Sequence, residues 1–321
     1  MTPSRRHPET GGPRAIAGGV VWLGLVFWSV ADLRTPAWSA ALLTFAALVL
    51  VPLALDLARE PGEAGVVPRL LVITGWLQLP AAFLLTVSCL QPTGRLAAGL
   101  ALPWIILTGL IAWSGGLRIL RRGLKPHWAL CRDAGMLFFA VGGVWTLADR
   151  LGLHPLGFGS DIVQLTAVHF HFAGLVLPVA SGLVVREFAS SRIAATAGWG
   201  VLAGVPLVAV GITSTQLGRG PAMEFFAALV LAASAMIIAV FQLRLAAQKR
   251  WPAKVRVLWS IAGMALVFGM SLALLYSARP YVMPLPRLDL PWMRALHGTA
   301  NALGFALCGL LGWRLRTTAD R

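Results

Sequence analysis

Residues 160–185 read SDIVQLTAVHFHFAGLVLPVASGLVV. After Asp161 near its start, this stretch carries no acidic or basic side chain except His169 and His171 until Arg186 follows it. A helix rises about 1.5 Å per residue, so the segment is long enough to cross the roughly 30 Å hydrocarbon layer of a bilayer. Comparable apolar runs recur through all 321 residues. Hydrophobic residues make up 58% of the chain and charged ones 12%, against roughly 25% charged in soluble domains. Mean hydropathy is +0.77. A soluble fold of this composition would lack the polar residues to cover its surface. Soluble enzymes, disordered chains and secreted disulfide scaffolds are therefore excluded. Cys89, Cys131 and Cys308 lie in or beside apolar runs, in no disulfide or zinc pattern.

The fold class is all-α, a polytopic transmembrane helix bundle of about ten spans. The spans are predicted at Ala15–Ala31, Trp38–Leu55, Arg69–Leu90, Leu96–Leu117, Asp133–Ala148, Ser160–Val185, Ala194–Thr213, Ala222–Leu243, Val255–Tyr276 and Trp292–Trp313. Residues 1–14 form a cytoplasmic N-terminal tail, 15–313 a single transmembrane domain and 314–321 a cytoplasmic C-terminal tail. The first span follows Arg5 and Arg6 and lacks a small-x-small cleavage site, so it reads as a retained anchor. Trp38, Trp104, Trp128, Trp251, Trp292 and Trp313 fall near span ends, where interfacial anchoring is their expected role. Pro80, Pro103, Pro178 and Pro206 fall inside spans and predict kinks.

The net charge of +15 comes from basic residues in short loops. With both termini in the cytoplasm, 20 Lys and Arg fall on the inner side and seven on the outer. That asymmetry follows the positive-inside rule. It assigns the charge to orientation and lipid headgroups, with membrane lipids as partners and no nucleic acid.

The histidines carry the most information. His7 and His127 lie in polar segments and read as solvated. His169 and His171 lie mid-span, with His169 about 13 Å below Ser160. Ionisable groups at such depth face a bundle interior or a wet cavity. Two helical residues differ by about 200°, so the pair points in different directions, which disfavours both binding one metal from a regular helix. His169 is taken as the site residue and His171 as packing or supporting, although His171 shares a face with Gln164.

Residues 292–305 read WMRALHGTANALGF. His297 and Asn301 share a face at i,i+4, with Arg294 beside them. Residues 220–226 read GPAMEFF, which places Glu224 in the first turn of a span, where a carboxylate also suits the helix dipole. Gln78 lies mid-span, two residues before Pro80. Asp149, Arg150, His154 and Asp161 read as solvated groups at the outer mouth. Glu224, His297, Asn301, His169 and His171 thus all fall in the outer half, on three helices.

The segment His169-Phe170-His171-Phe172-Ala173-Gly174, with His297-Gly298, Asn301-Ala302 and Gly304-Phe305, resembles the YndJ-like family of bacterial integral membrane proteins. The resemblance implies a multi-pass protein of the bacterial cytoplasmic membrane and supplies no reaction. Over about ten residues, His-Phe-His-aromatic is also similar to the large subunit of haem–copper oxidases, where the two histidines face two haems. That family needs more intramembrane histidines than this chain has. A single b-type haem held by His297 with His169 or His171 is what this likeness leaves.

Three functions follow as expectations. The first is a membrane-embedded enzyme acting on a lipophilic substrate, an isoprenoid, quinone or lipid. Its catalytic residues are His169, His297 and Glu224, and His171, Asn301, Arg294, Gln78 and Gln164 bind substrate. The chemistry is general acid–base or metal-assisted, with zinc, iron or copper held by His169, His171, His297 and Glu224. The second is a proton-coupled transporter, and the third the single-haem protein. The sequence leaves open whether the chain is an enzyme.

Overall fold

The computed structural model describes residues 11–60, 62–282 and 288–319. His7, Arg5, Arg6, Arg287 and Arg321 lie outside them. Among the described residues the regular structure is all helix, with no strand. They form α1 (Gly11–Ser29), α2 (Pro36–Ala58), α3 (Val66–Cys89), α4 (Arg95–Arg122) and α5 (His127–Leu151). Then come α6 (Ser160–Glu187), α7 (Arg192–Gln216), α8 (Ala222–Ala246), α9 (Ala253–Ala278) and α10 (Leu290–Arg316). Nine of these, α2 to α10, are long and apolar enough to cross a membrane, and α1 adds a 19-residue helix.

The ends differ from the sequence expectation. Gly11–Arg14 belong to α1, and the last helix continues past Trp313 to Ala319. Both flanks expected as tails are therefore partly helical. The short, Gly-rich fifth span runs from His127 to Leu151, well beyond Asp133–Ala148. The polar residues that suggested its ends are buried and neutralised. Asp133 accepts from Arg118 and Arg132. Asp149 and Arg150 pair at 2.7 Å with both side chains only 7% exposed, so they are not solvated mouth groups. His127 likewise packs edge-on against Trp199.

Helices α2 and α6 form the buried centre. Trp38, Trp104 and Trp313 are buried with them and do not serve as surface anchors. Both central helices widen into π turns, at Ala46–Leu50 and Phe170–Val176. Each widening has the same cause. Proline lacks an N–H and clashes with the carbonyl four residues back. Just before Pro52, Val51 N–H reaches the Ala46 carbonyl. Just before Pro178, Leu177 N–H reaches that of Phe172. The Ala47 carbonyl, denied a partner by Pro52, accepts from Gln78 Nε2 at 2.7 Å. A third wide region, Arg294–Gly298 and Ala300–Leu307, lies in α10. The three wide regions touch one another inside the bundle.

Candidate functional site

The start of α6, the end of α7, the start of α8, the end of α9 and the start of α10 meet at one end of the bundle. Between them lies a cavity of about 570 Å³, with a second pocket of about 200 Å³ sharing its wall. His169, Glu224, His297 and Asn301 line both. The remaining wall is mainly apolar, with Phe172, Val208, Ile212 and Met293 common to both spaces. A concave, mainly apolar volume with a few convergent polar groups is the usual form of a small-molecule site.

Each polar group is set by its helix contacts. His297 Nδ1 lies 2.8 Å from the Gly269 carbonyl of α9. A carbonyl only accepts, so Nδ1 carries the proton and Nε2 is left with its lone pair. Asn301 donates to the His297 carbonyl at 2.9 Å, and its Oδ1 is buried without a partner. Gly269 allows this arrangement, since a Cβ there would collide with the Asn301 amide. His169 Nε2 is also buried without a partner. Glu224 sits 4.0 Å from Arg279, whose guanidinium stacks over Tyr276. Buried polar atoms without partners are uncommon in folded proteins. Here such atoms belong to three residues on one cavity, His169, Asn301 and Arg294.

Arg294 also lines the larger space. Its guanidinium donates to the Arg34 carbonyl at 2.6 Å and pairs with Asp161 at 3.2 Å, tying α10 to the start of α6. Asp161 is thus a tether for Arg294.

The other candidates lie elsewhere. His171 is fully buried against Trp104 and Phe139. Trp104 donates to its Nε2 at 3.0 Å, and its Nδ1 lies 2.7 Å from the Ala167 carbonyl. Gln78 is committed to the Ala47 carbonyl. Gln164 is buried with Oε1 unpartnered, off the cavity walls. The four-ligand set of His169, His171, His297 and Glu224 therefore does not fit a metal, because both nitrogens of His171 are engaged away from the other three. Among the described residues no three His, Cys, Asp or Glu side chains are grouped to hold one. The oxidase-like arrangement fails on the same ground, since His171 has no ring nitrogen to offer a haem.

Sequence reasoning missed the opposite end of the bundle. Arg118, buried to 1%, pairs with Glu63 at 2.6 Å and Asp133 at 3.4 Å. Arg122 pairs with Glu60 at 2.6 Å and Asp133 at 3.3 Å. Arg132 pairs with Glu60 at 2.5 Å and Asp133 at 2.8 Å. Burial pushes the Glu60 carboxyl upward, but hydrogen bonds and charge from Arg122 and Arg132 outweigh it and hold the group below its ordinary range. The signal was present in the i,i+4 spacing of Arg118 and Arg122.

These features define a multi-pass integral membrane protein with a polar-lipped apolar cavity at one end and a buried ion-pair network at the other. A family model described as YndJ-like protein matches residues 41–305, so the chain belongs to that family. His169, Glu224, His297 and Asn301 all fall within the match. The chain is 27% identical over 237 residues to a protein of Bacillus subtilis (strain 168) named uncharacterized membrane protein YndJ. That alignment covers 73% of this chain and 41% of the relative, so the chain spans less than half the relative's length. No solved structure matches the chain.

Proposed function

We propose that the protein is an enzyme of the bacterial cytoplasmic membrane that performs general acid–base chemistry on a lipophilic substrate held in the cavity. The observation that carries this reading is a pair of buried atoms without partners, His169 Nε2 and Asn301 Oδ1, on the cavity that His297 also lines with its Nδ1 held by the Gly269 carbonyl. His297 is tautomer-fixed as an acceptor and suits a general base. Asn301 Oδ1 asks for a hydrogen-bond donor, such as the hydroxyl of an isoprenoid alcohol, a quinol or a lipid. His169 can return the proton, and Glu224 with Arg279 lies where a polar head would approach. The apolar wall suits the tail.

The packing beyond the cavity favours an enzyme over a carrier. Further along α6 and α8 from the cavity wall, Val179, Ala235 and Ile238 are buried in close packing, whereas a carrier alternates exposure of its site.

The test uses purified protein in nanodiscs, incubated with bacterial lipid extract and analysed by mass spectrometry for species consumed and formed. His297→Ala, His169→Ala and Glu224→Gln should each lower turnover, on the order of 10²-fold or more for an acid or base, with melting temperatures near wild type for His169→Ala and Glu224→Gln. Unchanged turnover in all three variants would overturn the reading.

A further inference from the structure

The ion-pair network leaves an imbalance. Arg59, Arg118, Arg122, Arg132 and Arg186 gather there around Glu60, Glu63 and Asp133. Arg118, Arg122 and Arg132 share all three carboxylates. Glu187, next to Arg186 in sequence, is taken by Arg316 at 2.7 Å. Among the described residues, Arg59 and Arg186 have no carboxylate within ion-pair distance. Neither arginine is therefore held in a direct ion pair, although Glu187 is a nearby charge for Arg186.

Both line one small pocket. Its walls are Leu57, Arg59 and Glu60 after α2, Trp128 and Arg132 at the start of α5, and Val179 to Arg186 on α6. Arg132 and Arg186 both lie over the Trp128 ring, at 5.8 and 5.7 Å. Two guanidiniums thus share one indole, and a third arginine, Arg59, lines the same pocket, so its wall carries three arginines to one carboxylate. Glu60, the one carboxylate in the wall, is already shared by Arg122 and Arg132. The pocket encloses about 90 Å³, room for a tetrahedral oxyanion where a water takes about 30 Å³. Guanidinium forks match phosphate oxygens in geometry as well as charge. The basic-residue distribution puts this end at the cytoplasmic headgroup layer, where pockets of this kind meet anionic lipid.

We propose that this pocket is a phosphate-binding site held by Arg59, Arg132 and Arg186, its occupant being the phosphate of an anionic phospholipid headgroup or free phosphate. Arg59 and Arg186 supply positive charge that no direct ion pair holds. Arg132 is oriented by Glu60 and Asp133 and presents its remaining edge. Trp128 fixes the guanidinium planes. The site is separate from the histidine cavity and does not depend on the function proposed for it.

The experiment uses full-length protein in uncharged detergent at constant ionic strength. Binding of phosphatidylglycerol, phosphatidylcholine and inorganic phosphate is measured by native mass spectrometry and thermal shift. Phosphatidylglycerol should bind more tightly than phosphatidylcholine. Arg59→Gln and Arg186→Gln should each weaken its binding about tenfold, the scale of one charge-assisted hydrogen bond. Arg121→Gln, an exposed charge on the same side, should leave binding unchanged. Without ligand, the two pocket variants should melt no lower than wild type, because neither arginine is held in a direct ion pair. If inorganic phosphate alone binds with the same arginine dependence, the site stands and its occupant is the free anion. If the Arg59→Gln/Arg186→Gln double variant binds both probes like wild type, or Arg121→Gln loses as much, the site is not there.

Discussion

The indole N–H of Trp104 on α4 donates to Nε2 of His171 on α6 at 3.0 Å, and the two rings lie nearly parallel. The other ring nitrogen donates to the Ala167 carbonyl. His171 is therefore a neutral, doubly bonded strut between helices, whereas His169, two residues earlier, faces a cavity. The approach is tight, since a Cβ at Gly142 would fall against the His171 ring. His171→Ala leaves a buried donor and a buried carbonyl unsatisfied, a loss of about 1–3 kcal/mol, with values nearer 0.6 kcal/mol measured in membranes. Thermal unfolding in detergent should register a clear drop for His171→Ala and almost none for His169→Ala. Equal melting temperatures would show that His171 is not structural.

Gln78 and Pro52 make a second coupled pair. Pro52 deprives the Ala47 carbonyl of a main-chain donor, and Gln78 replaces it. Gln78→Leu should therefore destabilise the protein by roughly 1 kcal/mol. In a Pro52→Ala background residue 52 regains its N–H, and the same substitution should cost less. A double-mutant cycle of melting free energies measures the coupling. Additive effects would separate the two residues.

The sequence reveals the helices because hydropathy and basic-residue spacing are one-dimensional signals. It also places His169, Glu224, His297 and Asn301 at one depth, since depth follows from counting residues along a span. What it does not encode locally is rotation about each helix axis. A regular helix separates His169 and His171 by about 200°, but nothing local says which of them meets Trp104. That choice is made by Gly142 and Phe139 on α5. The orphaned carbonyl that claims Gln78 depends on a proline 26 positions earlier, on another helix. The buried carboxylates were misread for a related reason. Asp133 and Asp149 look like span ends until their arginine partners are known, and two of those partners, Arg118 and Arg122, sit on α4.

Orientation in the bilayer rests on the basic split of 20 to seven, which makes it directly measurable. Arg95, Arg121, Arg219 and Lys249 are all exposed. Single cysteines at these positions, in a chain with Cys89, Cys131 and Cys308 replaced, can be probed in intact cells with a membrane-impermeant maleimide. Positions 95 and 219 should label at once, and positions 121 and 249 only after permeabilisation. Labelling of position 249 from outside would invert the topology and move the histidine cavity to the cytoplasmic side.

The Glu60 cluster carries a pH dependence of defined sign. Its carboxyl is held below the ordinary range in the folded protein, because Arg122 and Arg132 together outweigh the effect of burial. A group whose pKa falls on folding stabilises the folded state at pH values above its unfolded pKa. That contribution is complete above about pH 4.3, the ordinary glutamate value, and is lost as the pH falls through the lower folded value. Glu60→Gln abolishes the titration and keeps the shape of the side chain. At pH 7 the variant should melt below wild type, since Arg132, only 7% exposed, loses one of its two carboxylate partners. On acidification below about pH 4.3 the wild type should lose stability faster than Glu60→Gln, and the two melting curves should converge. Melting temperatures of both proteins from pH 7 to pH 3 measure this directly, and the difference between them cancels the carboxylates they share. A gap that stays constant across that range would mean that Glu60 is not the titrating link, leaving Asp133 and Glu63 to hold the three arginines.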